Sequence, residues 1–295
     1  MSVVTGRRFQ SPILLIAAAV VLFSTGGLLI KKATLSAYEI SFGRSLIAAV
    51  TVILVTGRAG FRLTRLTALA AIFYAATLLL FVMATKLTTA ANAIFLQYTA
   101  PVYMLILEPL IFKEKFHRRD ILVVGGCLAG MTLFFVGQLR PQDVAGNITA
   151  LASGLAFALF SLTLRRSLAA GGHAVASVVY GNLLLAAVTA PIFFRGIENL
   201  TTTNVLILLA LGVFQIGLAY LLFTAGMERG VRSLDAGIVG YIEPALNPVW
   251  VFLFIGERPS QYALIGGAMI IAAVMTHTIL SAGNRRRAEP VVGPD

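Results

Sequence analysis

Long apolar stretches separated by short polar connections run along the whole chain of 295 residues. A helix that crosses a hydrocarbon core of about 30 Å needs roughly 20 mostly apolar residues, and ten stretches are long enough. The predicted spans are Ile13–Ile30, Tyr38–Thr56, Leu66–Thr85, Asn92–Phe112, Ile121–Gly137, Ala145–Leu164, Ala174–Phe194, Val205–Thr224, Ala236–Ile255 and Tyr262–Leu280. The connections leave no room for a soluble domain, so the pattern predicts an all-α membrane protein with ten transmembrane helices.

Two segments of this pattern resemble each other at a constant distance along the chain. YTAPVYMLILEPLIFKEK begins at Tyr98 and YIEPALNPVWVFLFIGER begins at Tyr241, so the two tyrosines match and Pro101 matches Pro244. Shorter matches elsewhere follow the same order. The predicted organisation is a first five-helix repeat at 1–142, a second five-helix repeat at 143–281 and a cytoplasmic tail at 282–295.

An odd number of spans in each half means that the second half enters the membrane from the opposite side. Inverted repeats are typical of secondary transporters, in which the substrate binds near the midplane between the repeats. Prolines inside the fourth and ninth spans free backbone groups that lipid cannot satisfy, and this is tolerated where a helix lines a cavity. These two spans are therefore predicted to line the transport path, although a kink in a packed helix also accounts for the prolines.

Composition and charge agree with a membrane location. Apolar residues make up 58% of the chain and charged residues only 12%, which is too little polar surface for a soluble domain. Of the 23 Lys and Arg residues, 16 lie on the side that holds both termini, 6 lie on the other side, and Arg44 lies inside a span. The positive-inside rule predicts that both termini are cytoplasmic. We expect a multi-pass protein of a bacterial inner membrane.

Several function classes are disfavoured by the same sequence. The net charge of +11 does not indicate nucleic-acid binding, because the basic residues form no face interleaved with aromatic side chains. One cysteine, three widely separated histidines and the lack of a GxxxxGK[ST] motif predict no metal, no cofactor and no catalytic centre. The expected partners are a small-molecule substrate and the lipid bilayer, and a monomer suffices. A membrane-embedded enzyme that acts on lipid-linked substrates is the alternative from a different class.

The repeated motifs resemble those of EamA-type exporters in the drug/metabolite transporter superfamily. The resemblance covers nearly the whole chain and rests on a mid-span proline and a terminal glutamate in each half, Pro101 with Glu114 and Pro244 with Glu257, followed by a glycine-rich helix. FGRSLIAA in the second span adds an arginine. The resemblance implies ten helices around a central cavity, alternating access and peripheral fifth and tenth helices. The first half departs from it with FKEKF where the second has IGERP.

Arg44 is the basic residue that lies well inside a predicted span. A charge at this depth costs several kcal/mol unless it is paired or hydrated. Arg44 could hold a substrate carboxylate by a forked contact. It could instead form a structural ion pair with Glu39, Glu108 or Glu243, or extend to the membrane surface. Asn182 replaces the arginine in the second half, which favours a structural role.

The other candidate side chains lie on the two proline-containing spans. Positions spaced by three and four residues share one face of a helix, and each span has a face that mixes polar groups with aromatic or soft apolar side chains. Such linings are usual for small-molecule sites. The predicted substrate-binding residues are Gln97, Tyr98, Met104, Glu243, Asn247, Trp250, Phe254 and Arg44. Weaker candidates are Tyr103 and Asn182, together with four residues that would have to face inward: Tyr74, Tyr180, Gln215 and Tyr220.

The same residues give an expectation about substrate and coupling. Aromatic side chains suit an apolar substrate side chain, and a few amides with one pair of opposite charges suit an α-carboxylate and an α-amine. We therefore predict export of hydrophobic or aromatic amino acids, with export of drugs or lipophilic cations as the alternative. Glu108 or Glu243 could carry a coupling proton, but neither has an equivalent in the other half, which favours a facilitator.

Overall fold

The computed structural model describes residues 12–115, 117–134, 136, 141–196, 198, 200–255 and 260–288. Every element of regular secondary structure in this described part is a helix. In chain order they are α1 (Pro12–Phe23), α2 (Gly26–Lys32), α3 (Ala37–Thr56), a 3-10 turn (Gly57–Phe61), α4 (Arg65–Leu87), α5 (Ala90–Gln97), α6 (Ala100–Phe112), α7 (Arg118–Phe134), α8 (Val144–Ala169), α9 (Ala174–Arg195), α10 (Thr202–Leu209), a π-helix (Ala210–Leu218), α11 (Ala219–Glu228), α12 (Ser233–Gly240), α13 (Ile242–Ile255) and α14 (Gln261–Ala288).

Eight helical segments of the described part are long and apolar enough to cross a membrane. They correspond to eight of the ten predicted spans. Of the other two, Ile121–Gly137 corresponds to α7, which has 17 residues, and Ala236–Ile255 is divided between α12 and α13. The protein is therefore a multi-pass helical membrane protein, and the count of ten spans is not confirmed.

Both proline-containing spans are divided into two helices at matching positions. The fourth predicted span breaks at Tyr98 and Thr99, and the ninth breaks at Tyr241. Each tyrosine precedes a proline by three residues, and the first turn of a helix tolerates proline because the N–H that proline lacks has no partner there. The ring centroids of Tyr98 and Tyr241 are 5.6 Å apart, so the two breaks meet inside the bundle.

Two further spans contain irregular backbone at their middle. The first predicted span divides between α1 and α2, where the hydroxyls of Ser24 and Thr25 donate to the carbonyl oxygens of Val21 and Leu22 at 2.6 and 2.8 Å. Such local bonds compete with the regular helical pattern. The eighth span contains the π-helix, a form that is concentrated at functional sites.

Helices from the first and second parts of the chain alternate in the bundle. The most extensive packing joins α4 to α8, α3 to α9, and α7 to α14, while α1 packs on α11. The α7–α14 pair is close enough that an added Cβ at Gly130 would lie 3.0 Å from the carbonyl oxygen of Gly266. All four spans with irregular backbone border one internal cavity.

Candidate substrate site

The cavity lies among the broken helices, and the space within it amounts to about 580 Å³ when the part open to solvent is included. Its lining combines aromatic rings with a few polar side chains. The lining residues are Phe23, Arg44, Thr77, Leu78, Phe81, Gln97, Tyr98, Ala100, Pro101, Phe157, Gln215, Ile216, Tyr220, Gly237 and Glu243.

Arg44 contributes a guanidinium to this lining while the whole residue is 0% exposed. Its Nη2 donates to the carbonyl oxygen of Leu78 at 2.8 Å. The remaining nitrogens, Nε and Nη1, have no hydrogen-bond partner among the described residues, and Arg44 forms no ion pair with a described carboxylate. The structural ion pair considered from the sequence is therefore not found, nor does the side chain extend to the surface.

Glu243 and Tyr98 provide a second polar group in the cavity. The hydroxyl of Tyr98 donates to Oε2 of Glu243 at 2.6 Å, which joins the two broken spans directly across their breaks. Glu243 is buried and lines the cavity. The hydrogen bond holds the carboxylate of Glu243, on the ninth predicted span, against Tyr98 on the fourth.

Gln97 is held by a chain of hydrogen bonds. Its Nε2 donates to Oγ of Ser153 at 2.9 Å, and this hydroxyl donates to the carbonyl oxygen of Thr77 at 3.0 Å. The amide nitrogen is therefore engaged by α8 rather than left for a ligand. Gln97 nevertheless lines the cavity.

Aromatic rings form the apolar wall. The rings of Phe23 and Tyr220 are 4.8 Å apart between centroids, and those of Tyr220 and Phe223 are 5.9 Å apart. Phe157 stands 5.9 Å from Phe223 and extends the wall to α8. Tilted and edge-on contacts of this kind are favourable for aromatic rings, and Phe23, Phe157 and Tyr220 of this group line the cavity.

The structure places the eight predicted site residues in different surroundings. Arg44, Gln97, Tyr98 and Glu243 line the cavity together. Met104 is fully buried behind it, where its Sδ would lie 2.9 Å from a Cβ added to Gly237. Trp250 donates from Nε1 to Oγ of Ser24 at 2.7 Å, beside the break in the first span. The side chains of Asn247 and Phe254 lie outside what the structure describes.

Several lining residues were weak or unnamed candidates in the sequence. Gln215 and Tyr220 needed an inward orientation that periodicity does not supply, and a π-helix shifts the phase of the pattern. Phe23, Phe81 and Phe157 resemble ordinary membrane-facing residues in sequence. The sequence signal that points to the first of them is the GG pair that follows it at the break of its span.

Glu108, the other carboxylate inside a predicted span, lies in different surroundings. It accepts from Nη1 of Arg165 at 2.7 Å and from the backbone N–H groups of Ser233 and Leu234 at 3.0 and 3.2 Å. It therefore caps the N-terminus of α12 from α6. A carboxylate with this many donors is engaged within the protein, which indicates a structural role.

Glu108 belongs to a larger group of ionisable side chains at one end of the bundle. Nη2 of Arg232 lies 3.2 Å from Oδ2 of Asp120, and Nε2 of His277 lies 2.9 Å from Oδ1 of Asp235. We call this group the ion cluster; its members are Glu108, Glu114, Asp120, Arg165, Arg232, Asp235 and His277. It connects α6, α7, α8, α12 and α14 on the side where the sequence predicts the cytoplasm.

Contacts at the opposite end of the bundle join charged side chains to neutral groups. Nζ of Lys31 donates to the carbonyl oxygen of Thr88 at 2.7 Å, and Nζ of Lys86 donates to that of Ala33 at 2.8 Å. The hydroxyl of Thr88 donates to Asp143 at 2.9 Å. None of the ion pairs found among the described residues lies at this end.

Comparisons with known proteins agree with this architecture. The chain is 26% identical over 276 residues to the pseudopaline exporter CntI of Pseudomonas aeruginosa, covering 90% of this chain and 94% of that protein. It is 29% identical over 206 residues to the threonine/homoserine exporter RhtA of Escherichia coli, covering 68% and 66%. It is 25% identical over 207 residues to the aromatic amino acid exporter YddG of Ancylobacter novellus, covering 67% and 70%.

A solved crystal structure shares the fold. It aligns with a TM-score of 0.78 at 19% identity and covers 91% of this chain and 97% of its own. The family model of the EamA-like transporter family matches the chain twice, at residues 10–136 and 144–278, so each part of the chain carries one copy of the family's repeat. The chain belongs to the EamA-like transporter family.

Proposed function

We propose that this protein exports small zwitterionic metabolites, and amino acids with hydrophobic or aromatic side chains in particular, across a bacterial inner membrane. The observation that carries the proposal is the guanidinium of Arg44, which is buried in the cavity without a carboxylate partner. A buried and unpaired charge is costly. A substrate carboxylate would satisfy the two free nitrogens and offset that cost.

The rest of the lining fits the other parts of such a substrate. Glu243 offers negative charge for an α-ammonium, and the rings of Phe23, Phe157 and Tyr220 offer apolar surface for a side chain. Each aromatic contact adds about 0.5–1.5 kcal/mol beyond the area that it buries. The names of YddG and RhtA, both amino acid exporters, support the same substrate class.

Other substrate classes fit this lining less well. A polyanion such as a nucleotide sugar would need several cationic groups, whereas Arg44 is the one Lys or Arg among the residues that line the cavity. A lipophilic cation favours an aromatic cage beside an uncompensated carboxylate. In this cavity the positive charge of Arg44 opposes a cation.

The proposed mechanism is alternating access of two inverted five-helix repeats, 1–142 and 143–281, with both termini in the cytoplasm. The ion cluster joins α6 and α7 of the first repeat to α8, α12 and α14 of the second. Opening the cytoplasmic side would require these ion pairs to separate. At the opposite end, contacts such as that of Lys31 with the carbonyl oxygen of Thr88 join a charged group to a neutral one.

Counterflow in proteoliposomes tests the proposal. Vesicles loaded with unlabelled L-phenylalanine should accumulate labelled L-phenylalanine, with saturation and without chemical change of the substrate. Arg44→Leu should abolish the accumulation, because the carboxylate loses its charged donors. Arg58→Leu removes an exposed arginine from the turn after α3 and serves as the matched control that keeps activity.

A growth assay gives an independent readout. Expression should confer resistance to toxic aromatic amino acid analogues, and Arg44→Leu should remove that resistance at equal protein level. Resistance to lipophilic cations without any effect on the analogues would contradict the amino acid proposal and favour the drug exporter. A chemically altered product would instead indicate an enzyme.

A further inference from the structure

Gln215 lines the cavity with an acceptor atom that no described residue engages. The residue is 5% exposed, it lines the cavity, and its Oε1 has no hydrogen-bond partner in the part of the chain that the structure describes. A buried acceptor without a donor lowers the stability of the folded protein. Most buried polar atoms are satisfied, so each exception calls for an explanation.

The backbone around Gln215 is shaped to hold it there. Gln215 lies on the π-helix, whose widened turn changes the direction of its side chain relative to a regular helix. Across the cavity edge, a Cβ added to Gly26 would lie 2.7 Å from Nε2 of Gln215. The break between α1 and α2 therefore leaves space for the amide, which a larger residue at this position would fill.

Gln215 also lies on the helix that packs beside Arg44. A Cβ added to Gly212 would lie 2.9 Å from the backbone oxygen of Arg44, so the π-helix and α3 are in direct contact. Both side chains reach the same cavity. Arg44 has two free donors and Gln215 has a free acceptor, yet the two do not bond to each other.

We infer that Gln215 is a specificity-determining residue that accepts an N–H of the substrate's α-ammonium while Arg44 binds its α-carboxylate. An α-amino acid carries an acceptor and a donor on one carbon atom, which is the complement of the two unsatisfied groups. Glu243 supplies the negative charge, but one of its oxygens already accepts from Tyr98. This inference rests on the proposed function and adds the requirement for an amino group.

The test compares two ligands that differ only in that group. L-phenylalanine and 3-phenylpropionate share the ring and the carboxylate, and the latter lacks the ammonium. In competition for counterflow, wild-type protein should bind L-phenylalanine at least tenfold more tightly. Gln215→Met, of similar length but without the acceptor, should weaken L-phenylalanine about tenfold and leave 3-phenylpropionate unchanged.

Two more variants separate this role from a general effect on packing. Gly26→Ala keeps Gln215 but displaces its amide. It should therefore lower the preference for L-phenylalanine over 3-phenylpropionate by a smaller factor than Gln215→Met does. Phe214 lies on the same π-helix and is 56% exposed. Phe214→Ala should therefore leave the ratio of the two ligands' affinities unchanged.

The outcomes distinguish this inference from the proposed function. Active wild-type protein with an unchanged ligand ratio in Gln215→Met would overturn the role of Gln215 alone. Equal affinity of the wild type for the two ligands would also overturn it. Failure of wild-type protein to exchange L-phenylalanine would contradict the proposed function, and the role of Gln215 with it.

Discussion

Arg165 and Arg232 of the ion cluster and Arg44 of the cavity are all at least partly buried in the bundle, but they differ in what they contact. Arg165 and Arg232 each reach at least two carboxylates. Arg44 is more deeply buried than either and bonds to one carbonyl oxygen. Charged groups that the protein itself neutralises indicate a structural or gating role. A charge that the protein leaves unsatisfied indicates a position reserved for a ligand.

The first prediction separates function from stability at Arg44. Arg44→Leu should reduce transport of L-phenylalanine roughly 100-fold, because hydrogen bonds to a charged group are worth about 1.5–3 kcal/mol. Its thermal midpoint should be equal to or above that of the wild type, because replacing a buried, unpaired charge by an apolar side chain removes a desolvation cost. Melting of purified protein in detergent measures the second effect. A large fall in the midpoint would show that Arg44 has a structural partner after all.

The same substitution should have the opposite effect in the ion cluster. Arg165→Leu leaves Glu108, which is fully buried, without its closest charged partner. The cost of breaking a buried pair, reduced because Arg165 is partly exposed, is about 2 kcal/mol. Arg166→Leu, at the exposed neighbouring position, is the control and should change the midpoint little. Equal midpoints for the two variants would remove the ion cluster from the account.

Cysteine labelling tests whether the two ends of the bundle face opposite sides of the membrane. Single cysteines at Lys32 and Lys86 should react with an impermeant reagent from outside the cell, and those at Arg62 and Arg229 should not. The native Cys127 is buried and can be replaced first. Mixed labelling within either pair would contradict the inverted topology and the assignment of the ion cluster to the cytoplasmic side.

Replacement of the cavity carboxylate should have the smallest effect on exchange. Glu243→Gln keeps an acceptor for the hydroxyl of Tyr98 but removes the negative charge that faces the α-ammonium. Because Gln215 still accepts from the ammonium, exchange of L-phenylalanine should fall by about tenfold and not be lost. For a facilitator, neither protein should respond to an imposed pH gradient. Gradient-driven accumulation by the wild type that disappears in Glu243→Gln would instead identify Glu243 as the carrier of a coupling proton.

The helical membrane architecture and the resemblance to EamA exporters were predictable, because long apolar stretches and the proline motifs are local features of the sequence. The break positions at Tyr98 and Tyr241 follow from prolines three residues later. The partner of Arg44 was not predictable. Three glutamates could have paired with it, and whether any does depends on how helices far apart in sequence pack; none of the three pairs with it in the structure. Gln215 was only a weaker candidate for a similar reason, because a π-helix changes the periodicity that assigns a residue to a face.

Binding of two ligands to two proteins tests the central claim, that Arg44 is reserved for a substrate carboxylate, most directly. L-phenylalanine and phenethylamine differ by the carboxylate, and wild type and Arg44→Leu differ by its proposed partner. Titration calorimetry gives four dissociation constants, which form a double-mutant cycle. Loss of the carboxylate should weaken binding to the wild type roughly 100-fold, the effect of losing charged hydrogen bonds, and should weaken binding to Arg44→Leu less than about threefold. Equal losses in both proteins would show that the carboxylate does not meet Arg44 and would contradict the account.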